Sequence, residues 1–385
     1  MKKAKKLSWK KIWSREYSVQ YCEVALRSLS REAQDILGTY MEHQLIVPDN
    51  MNESVYFEIF EEQKFVRSIV RRFTGNKTKL KLFIKNFYQI GEDYQNFCKV
   101  LYQQNLKSKN NQYLRTIYAE YQTKAINYTA ILWVGYLLNE YWSGYGESIL
   151  KVSDDKVREA LFRPVRKSTV LIMQKEAAGI KGDQRKLKKF WQKYRWLPCL
   201  DLHNKAWSLD DVRDYADNLK PMVASPRLNF SAAIKKSGLS RLEIDKFEMI
   251  KEIAYIKDVR DDYRRKSIFY IQPFFAEIGR RIGITLNDVA YLTQEEIFSL
   301  LVGGKADARR IKHRQRGFVM YLDNKKTICA TTGVPELFNK LGFAVQEFNL
   351  IKLQGVPGNS GRARGVAIPA ARRPKSAVLP AMSAI

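Results

Sequence analysis

Apolar residues recur at spacings of three and four over most of the chain, the period of one face of an α-helix. Leu80, Phe83, Phe87 and Ile90 set the pattern. Leu101, Leu114, Ile117 and Tyr121 continue it past a Lys/Asn-rich break at residues 107–112. From Ala125 to Asn139 no residue is charged. These fifteen residues fall short of the ~20 needed to span a bilayer, so the run predicts a buried core helix. Ile268, Ile271, Phe275, Ile278 and Ile282 step by three and four within residues 244–282, a heptad-like seam. That segment predicts one long helix or a kinked pair, because Pro273 removes a backbone hydrogen bond inside it.

Four stretches have the form of a capping box, in which a hydroxyl and a carboxylate satisfy orphan backbone N–H groups of a first helical turn. They pair Ser208 with Asp211, Ser240 with Glu243, Thr285 with Asp288, and Thr293 with Glu296. The period breaks in three places. Residues 1–60 read as irregular, with Val47-Pro48-Asp49-Asn50 as a turn and at most a short strand at Val55-Tyr56-Phe57. Residues 181–189 read as a basic, glycine-containing connector. After Arg316, residues 318–322 and 327–331 flank Asp323-Asn324 and predict a β-hairpin. Pro335 then suits the first turn of a helix at 336–341, Gly342 a left-handed cap, and residues 349–354 a final strand.

The pattern therefore predicts a mainly α protein: a multi-helix domain, a small α/β hairpin-helix segment, and a β-rich start of a further C-terminal domain. The boundaries fall at 1–62 (basic, irregular), 63–283 (helical), 284–350 (helical and hairpin connector) and 351–385 (glycine motif and basic tail). Hydrophobic residues make up 45% and aromatics 12%, too much for a disordered chain.

Charge alters this picture. The net charge is +27 over 385 residues. Residues 1–15 carry seven cations and no acid, and after Glu347 there are six cations and again no acid. Such a chain attracts polyanions, although charge alone specifies none. Residues 255–266 alternate in sign (Lys257, Asp258, Arg260, Asp261, Asp262, Arg264, Arg265, Lys266). This reads as a solvated helix face with i,i+4 pairs; an arginine cluster that docks phosphate is the other reading.

The four cysteines, Cys22, Cys98, Cys199 and Cys329, form no CxxC pair, which argues against a zinc ribbon or disulfide framework and fits a cytoplasmic protein. Cys199 reads as a packed thiol. The positive N-terminus lacks the apolar stretch of a signal peptide. Of the three histidines, His43 lies in a loop-prone region, His203 follows the Trp-Leu-Pro turn, and His313 lies among cations with no accompanying general acid; no histidine pair or carboxylate cluster has metal-ligand spacing.

One motif stands apart. Gly355-Val356-Pro357-Gly358-Asn359-Ser360-Gly361-Arg362-Ala363-Arg364-Gly365 places four glycines at fixed offsets. It resembles the opening of the swivelling phosphohistidine domain of phosphoenolpyruvate-utilising enzymes, such as phosphoenolpyruvate synthase and pyruvate phosphate dikinase. Three upstream segments are similar to that family's helical linker. They are Lys193-Tyr194-Arg195-Trp196-Leu197 with Trp207-Ser208, then Val259-Arg260-Asp261-Asp262-Tyr263-Arg264 leading to Ile278-Gly279-Arg280-Arg281-Ile282-Gly283. The third is Asp288-Val289-Ala290-Tyr291-Leu292-Thr293-Gln294-Glu295-Glu296-Ile297. A basic helix at 309–316, the hairpin and the glycine motif follow in the expected order, so the likeness covers roughly residues 190–365.

The resemblance implies phosphoryl transfer through a phosphohistidine, with ATP and magnesium as the family's cofactors. It also implies an ATP-binding domain and a Thr-x-Gly-Gly-x-x-Ser-His-like segment. Neither is visible, so no cofactor site and no catalytic residue are expected in this chain. Within the motif Gly355, Pro357, Gly358, Ser360, Gly361, Ala363 and Gly365 would act as a hinge, or as an ordinary tight loop. It is not a nucleotide cradle, since it lacks GxxxxGK[ST]. The last twenty residues hold six alanines, three prolines and no acid or amide, which suggests either a frameshifted or truncated product or a basic tail. The expectation is a non-catalytic helical scaffold of a phosphoenolpyruvate-synthase-like phosphotransferase. It would be inactive alone and would work with separate ATP-binding and phosphohistidine subunits. The alternative is a basic, helical nucleic-acid-binding protein. No membrane association is expected.

Overall fold

A computed structural model describes residues 7–49, 52–151, 154–180, 182–219, 228–323 and 326–343. The predicted strand at 349–354 and the hinge residues Gly355, Pro357, Gly358, Ser360, Gly361, Ala363 and Gly365 lie outside the described residues. The mainly α expectation holds, with one small sheet.

Residues 7–49 and 52–60 are not irregular. They form strand β1 (Trp9–Arg15), helix α1 (Val19–Ser28), a short α2 (Gln34–Leu37), and strands β2 (Gln44–Asp49) and β3 (Asn52–Glu58). Their helical period is hidden because α1 is buried on nearly every side, including Gln20, Glu23 and Ser28. A helix enclosed all round shows no amphipathic stripe. The strand at Val55-Tyr56-Phe57 is present inside β3.

Helices α3 (Ile59–Phe73), α4 (Lys77–Tyr102) and α5 (Asn111–Ile149) follow. The uncharged run 125–139 is the buried middle of α5, as its composition predicts. Shorter helices come next: α6 (Asp155–Phe162), α7 (Thr169–Ala177), α8 (Gln184–Tyr194), α9 (Leu209–Asp217) and α10 (Phe230–Ser237). The supposed connector at 181–189 is largely α8. Asp183 caps it by accepting from the Arg185 and Lys186 amides. Its lysines occupy the solvent side, while Leu187, Phe190 and Tyr194 face inward.

Helix α11 (Arg241–Ile282) runs unbroken through Pro273. Then come α12 (Leu286–Val289), α13 (Gln294–Leu300), α14 (Ala308–Arg314), strands β4 (Val319–Asp323) and β5 (Lys326–Ala330), and α15 (Val334–Leu341). All four capping boxes form, at the starts of α9, α11, α12 and α13. Proline stands in the first turn of α15, and Gly342 closes it with φ +61°.

Three long helices make the centre. Helices α4 and α11 run parallel: Lys77 pairs with Asp245 at 2.9 Å, and at the far end Tyr102 meets Tyr270. Helix α5 runs against both, bringing Tyr121 beside Tyr94 and Tyr118 beside Phe275. The antiparallel sheet has the order β1-β3-β2-β4-β5. It joins strands from both ends of the described chain, with Leu45 and Ile46 of β2 opposite Tyr321 and Met320 of β4. One face sends Ile46, Val55, Phe57 and Met320 into the helical core, where Trp13 stacks on Trp133 of α5 at 3.4 Å. The other face packs Leu45, Val47, Val319 and Tyr321 against Phe338 of α15 and Phe343. The apolar core passes positions 62 and 283 without a break. Among the described residues no helix is long and apolar enough to cross a membrane.

Candidate functional site

Two arginine-rich stretches dominate the chemistry, one enclosed and one exposed. The first is the sign-alternating part of α11, which is not a solvated face. Asp262 and Arg264 are buried. Arg260 donates to the Leu132 carbonyl at 3.4 Å and lies 5.0 Å over the Tyr136 ring, while the Tyr128 hydroxyl donates to the Arg260 carbonyl. Arg264 donates to the Tyr17 hydroxyl at 3.5 Å and lies 4.5 Å over the Tyr21 ring. Arg265 donates to the Leu197 carbonyl, and Lys266 covers the Trp196 ring. This rib joins α5, the β1–α1 corner and the Trp196-Leu197-Pro198 turn.

The adjacent carboxyls of the rib behave in opposite ways. Burial works against ionisation of Asp261, but Arg260, Arg264, Arg265 and Arg15 outweigh it and hold the carboxyl well below the usual range. Burial wins at Asp262 and pushes it up to about 6, despite the hydrogen bond it accepts from Thr169. Beside the rib, Ser18 donates both its N–H and its hydroxyl to Asp201, at 2.7 and 2.7 Å.

His203 stands next to Asp201. Its ring is buried, with Nε2 3.5 Å from Glu16 and Nδ1 3.9 Å from Asp201. His43 donates from Nδ1 to the Glu61 carboxylate at 2.5 Å, and Glu42, His43 and Glu61 form the one cluster with metal-ligand spacing among the described residues. Its oxygens are already engaged. Glu61 accepts from the amides of Glu42 and His43, and Glu42 accepts from Arg31 at 2.6 Å. The cluster is a hydrogen-bonded turn. All four cysteines are free; burial raises Cys199 to about 12, which makes it a packed thiol.

The Tyr291-Leu292-Thr293 turn is a joint. Gln20 of α1 donates its backbone N–H to Ala290 at 3.0 Å and its side-chain amide to Leu292. Tyr118 and Gln122 of α5 close this network by donating to the Gln20 side-chain oxygen Oε1. Glu296, the acid of the α13 capping box, takes Arg314 in two bonds of 2.6 and 3.1 Å and also Arg310 at 3.1 Å. Arg314 reaches the Tyr291 carbonyl as well.

Arg314 is the buried side of α14. The opposite side is exposed, and there Ala308, Arg309, Lys312, His313 and Arg316 line a shallow depression of about 350 Å³. The structure thus separates the three histidines: His203 beneath the rib, His43 at the mouth of β2, and His313 in this basic depression. The sequence did not reveal Glu53 as notable. It sits on the core face of β3, and burial raises it to about 9 against a backbone hydrogen bond from Phe318. A carboxyl within a strand otherwise rich in apolar residues was the available signal.

No family model, curated protein or solved structure matches the chain.

Proposed function

We propose that this chain is a non-catalytic helical scaffold of a phosphoenolpyruvate-synthase-like phosphotransferase. It is inactive alone and works with separately encoded ATP-binding and phosphohistidine subunits. The observation that supports this most is the use made of the residues on which the resemblance rests. Arg260, Arg264 and Arg265 tie α11 to α5, to the N-terminal corner and to the Leu197 turn. The Tyr-Leu-Thr turn holds α1 through Gln20 and α14 through Arg314. Arg195 lies between the Trp191 and Phe269 rings, at 4.7 and 4.8 Å. These are architectural joints, and a rigid body is what a swivelling domain requires at its base.

A phosphoryl acceptor imidazole needs an accessible ring nitrogen beside donors that stabilise the transferred charge. His203 is enclosed beside two carboxylates, which repel a phosphoryl group, and His43 is engaged with Glu61, so His313 in its open basic depression is the position where label would most directly decide against this reading. The test is incubation of the full chain with labelled ATP or phosphoenolpyruvate and magnesium. No acid-labile label is expected; label on His203 or His313 overturns the non-catalytic reading. The partner half is tested by size-exclusion chromatography with separately produced ATP-binding and phosphohistidine domains of that family. Co-elution is expected, and a chain that elutes alone removes that half.

A further inference from the structure

We propose that the exposed face of α14 is a docking surface for the phosphodiester backbone of a nucleic acid. Arg309, Lys312, His313 and Arg316 fall at i, i+3, i+4 and i+7, one stripe of a helix. Arg316 follows the end of α14 in a tighter turn, its amide donating to the His313 carbonyl at 3.0 Å, and it lines the same depression as Arg309 and Lys312. Arg309, Lys312 and Arg316 are exposed. Seven helical steps span ~10 Å, enough for about three phosphates of one strand at ~3.4 Å each.

The nearby acids are already occupied. Asp307 caps α14 through the Arg310 amide and faces the Arg310 guanidinium at 3.6 Å. Asp288 accepts from Thr285 and Gln315, and Lys312 acts on it only through space. Glu296 is taken by Arg310 and Arg314. The stripe is also held rigid, since buried Arg314 fixes the rotation of α14 from behind. Little mobility is lost when a ligand arrives, which favours binding.

The lining indicates which polyanion fits. Two of its cations are arginines, whose planar fork matches phosphate oxygens in pairs. Apart from the aliphatic stems of its cations, its only apolar side chain is that of Ala308. A protein partner would want aromatic or aliphatic anchors, and a membrane surface would want an apolar flank to insert. No Phe, Tyr or Trp ring lines the depression and the His313 imidazole is its one ring, so stacking is confined to a single position and the backbone contacts carry the binding. This inference does not depend on the phosphotransferase reading and is tested separately from it.

The experiment measures binding of the full chain to a labelled single-stranded RNA of about 20 nucleotides across a salt series. Its parent is compared with the triple variant Arg309→Ala, Lys312→Ala, Arg316→Ala. A second variant, Lys81→Ala, Lys85→Ala, Lys99→Ala, removes the same charge from exposed positions on α4. The stripe variant is expected to bind ~10-fold or more weakly, and its log–log salt slope to fall by about 2, at ~0.7 per lost phosphate contact on a single strand. The α4 variant is expected to stay within ~3-fold. Equal losses in the two variants, or no loss in the stripe variant, overturn the proposal. DNA of the same length is expected to bind alike. Poly-glutamate that displaces RNA equally well at equal charge overturns the assignment to phosphodiesters.

Discussion

The α11 rib and the α14 stripe are both short, arginine-rich helical stretches, and the molecule uses them in opposite ways. The rib places Asp258, Asp261 and Asp262 among its cations and meets tyrosine and tryptophan rings on three neighbouring elements. The stripe has no acid between Arg309 and Arg316, and its lining has no tyrosine, tryptophan or phenylalanine ring. Charge can be enclosed only when opposite charge, hydrogen bonds and polarisable faces come with it. A helix face that carries cations alone, with no acid from a neighbouring element turned towards it, keeps them in water, where they remain available to a partner. Interleaved acids and nearby aromatics, rather than arginine count, separate a joint from a docking face.

The hardest blow to this distinction is aimed at Arg264. Replacing it with Ala opens a cavity beside two tyrosines and removes one of the four arginines that hold Asp261 ionised, and is expected to cost about 3–5 kcal/mol. Urea unfolding of the full chain measures it. Replacement with Met, of similar length, should cost less, because removing the buried charge also removes its desolvation. A loss below about 1 kcal/mol for the Ala variant would place Arg264 with the stripe, as a cation the fold does not need.

Glu53 sharpens the point from the other side, being a buried carboxyl with no arginine to hold it ionised. Its value in the folded state is about 9, against an ordinary 4.5. Between those values the unfolded chain has released the proton and the folded chain has kept it, so stability falls as pH rises. The fall is about 1.4 kcal/mol per pH unit, roughly 3 kcal/mol from about pH 6 to pH 8. Glu53→Gln should flatten this dependence when urea midpoints are followed across that range. An unchanged slope in the variant would mean that Glu53 is ionised in the fold.

Asp262 makes the same argument more weakly. Its folded value near 6 exceeds the ordinary 3.8. Stability should therefore drop by about 2 kcal/mol from about pH 4.5 to pH 6, and Asp262→Asn should remove that drop. Its neighbour has the opposite sign. Asp261, depressed by its arginines, adds stability above the ordinary value that is lost as the pH falls through its lower folded value. Asp261→Asn should lose stability at neutral pH. If both substitutions shift the acid limb alike, arginine proximity is not what divides the pair.

What was legible in the chain follows from range. Capping boxes, the Pro335 helix start and the hairpin depend on residues within a few positions of one another; the boxes were read at their places, the hairpin turn one residue early and the helix start two residues late. The long helix through Pro273 was visible in its seam. Features set by distant partners were not legible. Helix α1 looked irregular because α5, the sheet and the Tyr291-Leu292 turn enclose it on all sides. The rib looked solvated because its tyrosines lie more than 100 positions away, at Tyr17, Tyr21, Tyr128 and Tyr136. Alternating sign along a helix is the same string whether water or aromatic rings surround it. The α14 stripe was seen as a basic helix, but its single exposed face emerged only once Arg314 was found turned inward on Glu296.

The smallest effect is the most telling for the stripe. Arg309→Ala, Lys312→Ala and Arg316→Ala together should leave stability within ~0.5 kcal/mol of the parent, since exposed side chains without close partners contribute little. The sign should lean towards a gain. Alanine is the better helix former, and the triple variant relieves like-charge repulsion at i,i+3 and i,i+4 spacing, worth ~0.2–0.5 kcal/mol per pair at low salt. That gain should fade as salt screens the repulsion. Urea unfolding at low and high salt reads both. A loss above about 1 kcal/mol would show that these cations support the fold as the rib does. A stable variant that no longer binds RNA would separate the two regions cleanly, one arginine cluster serving architecture and the other recognition.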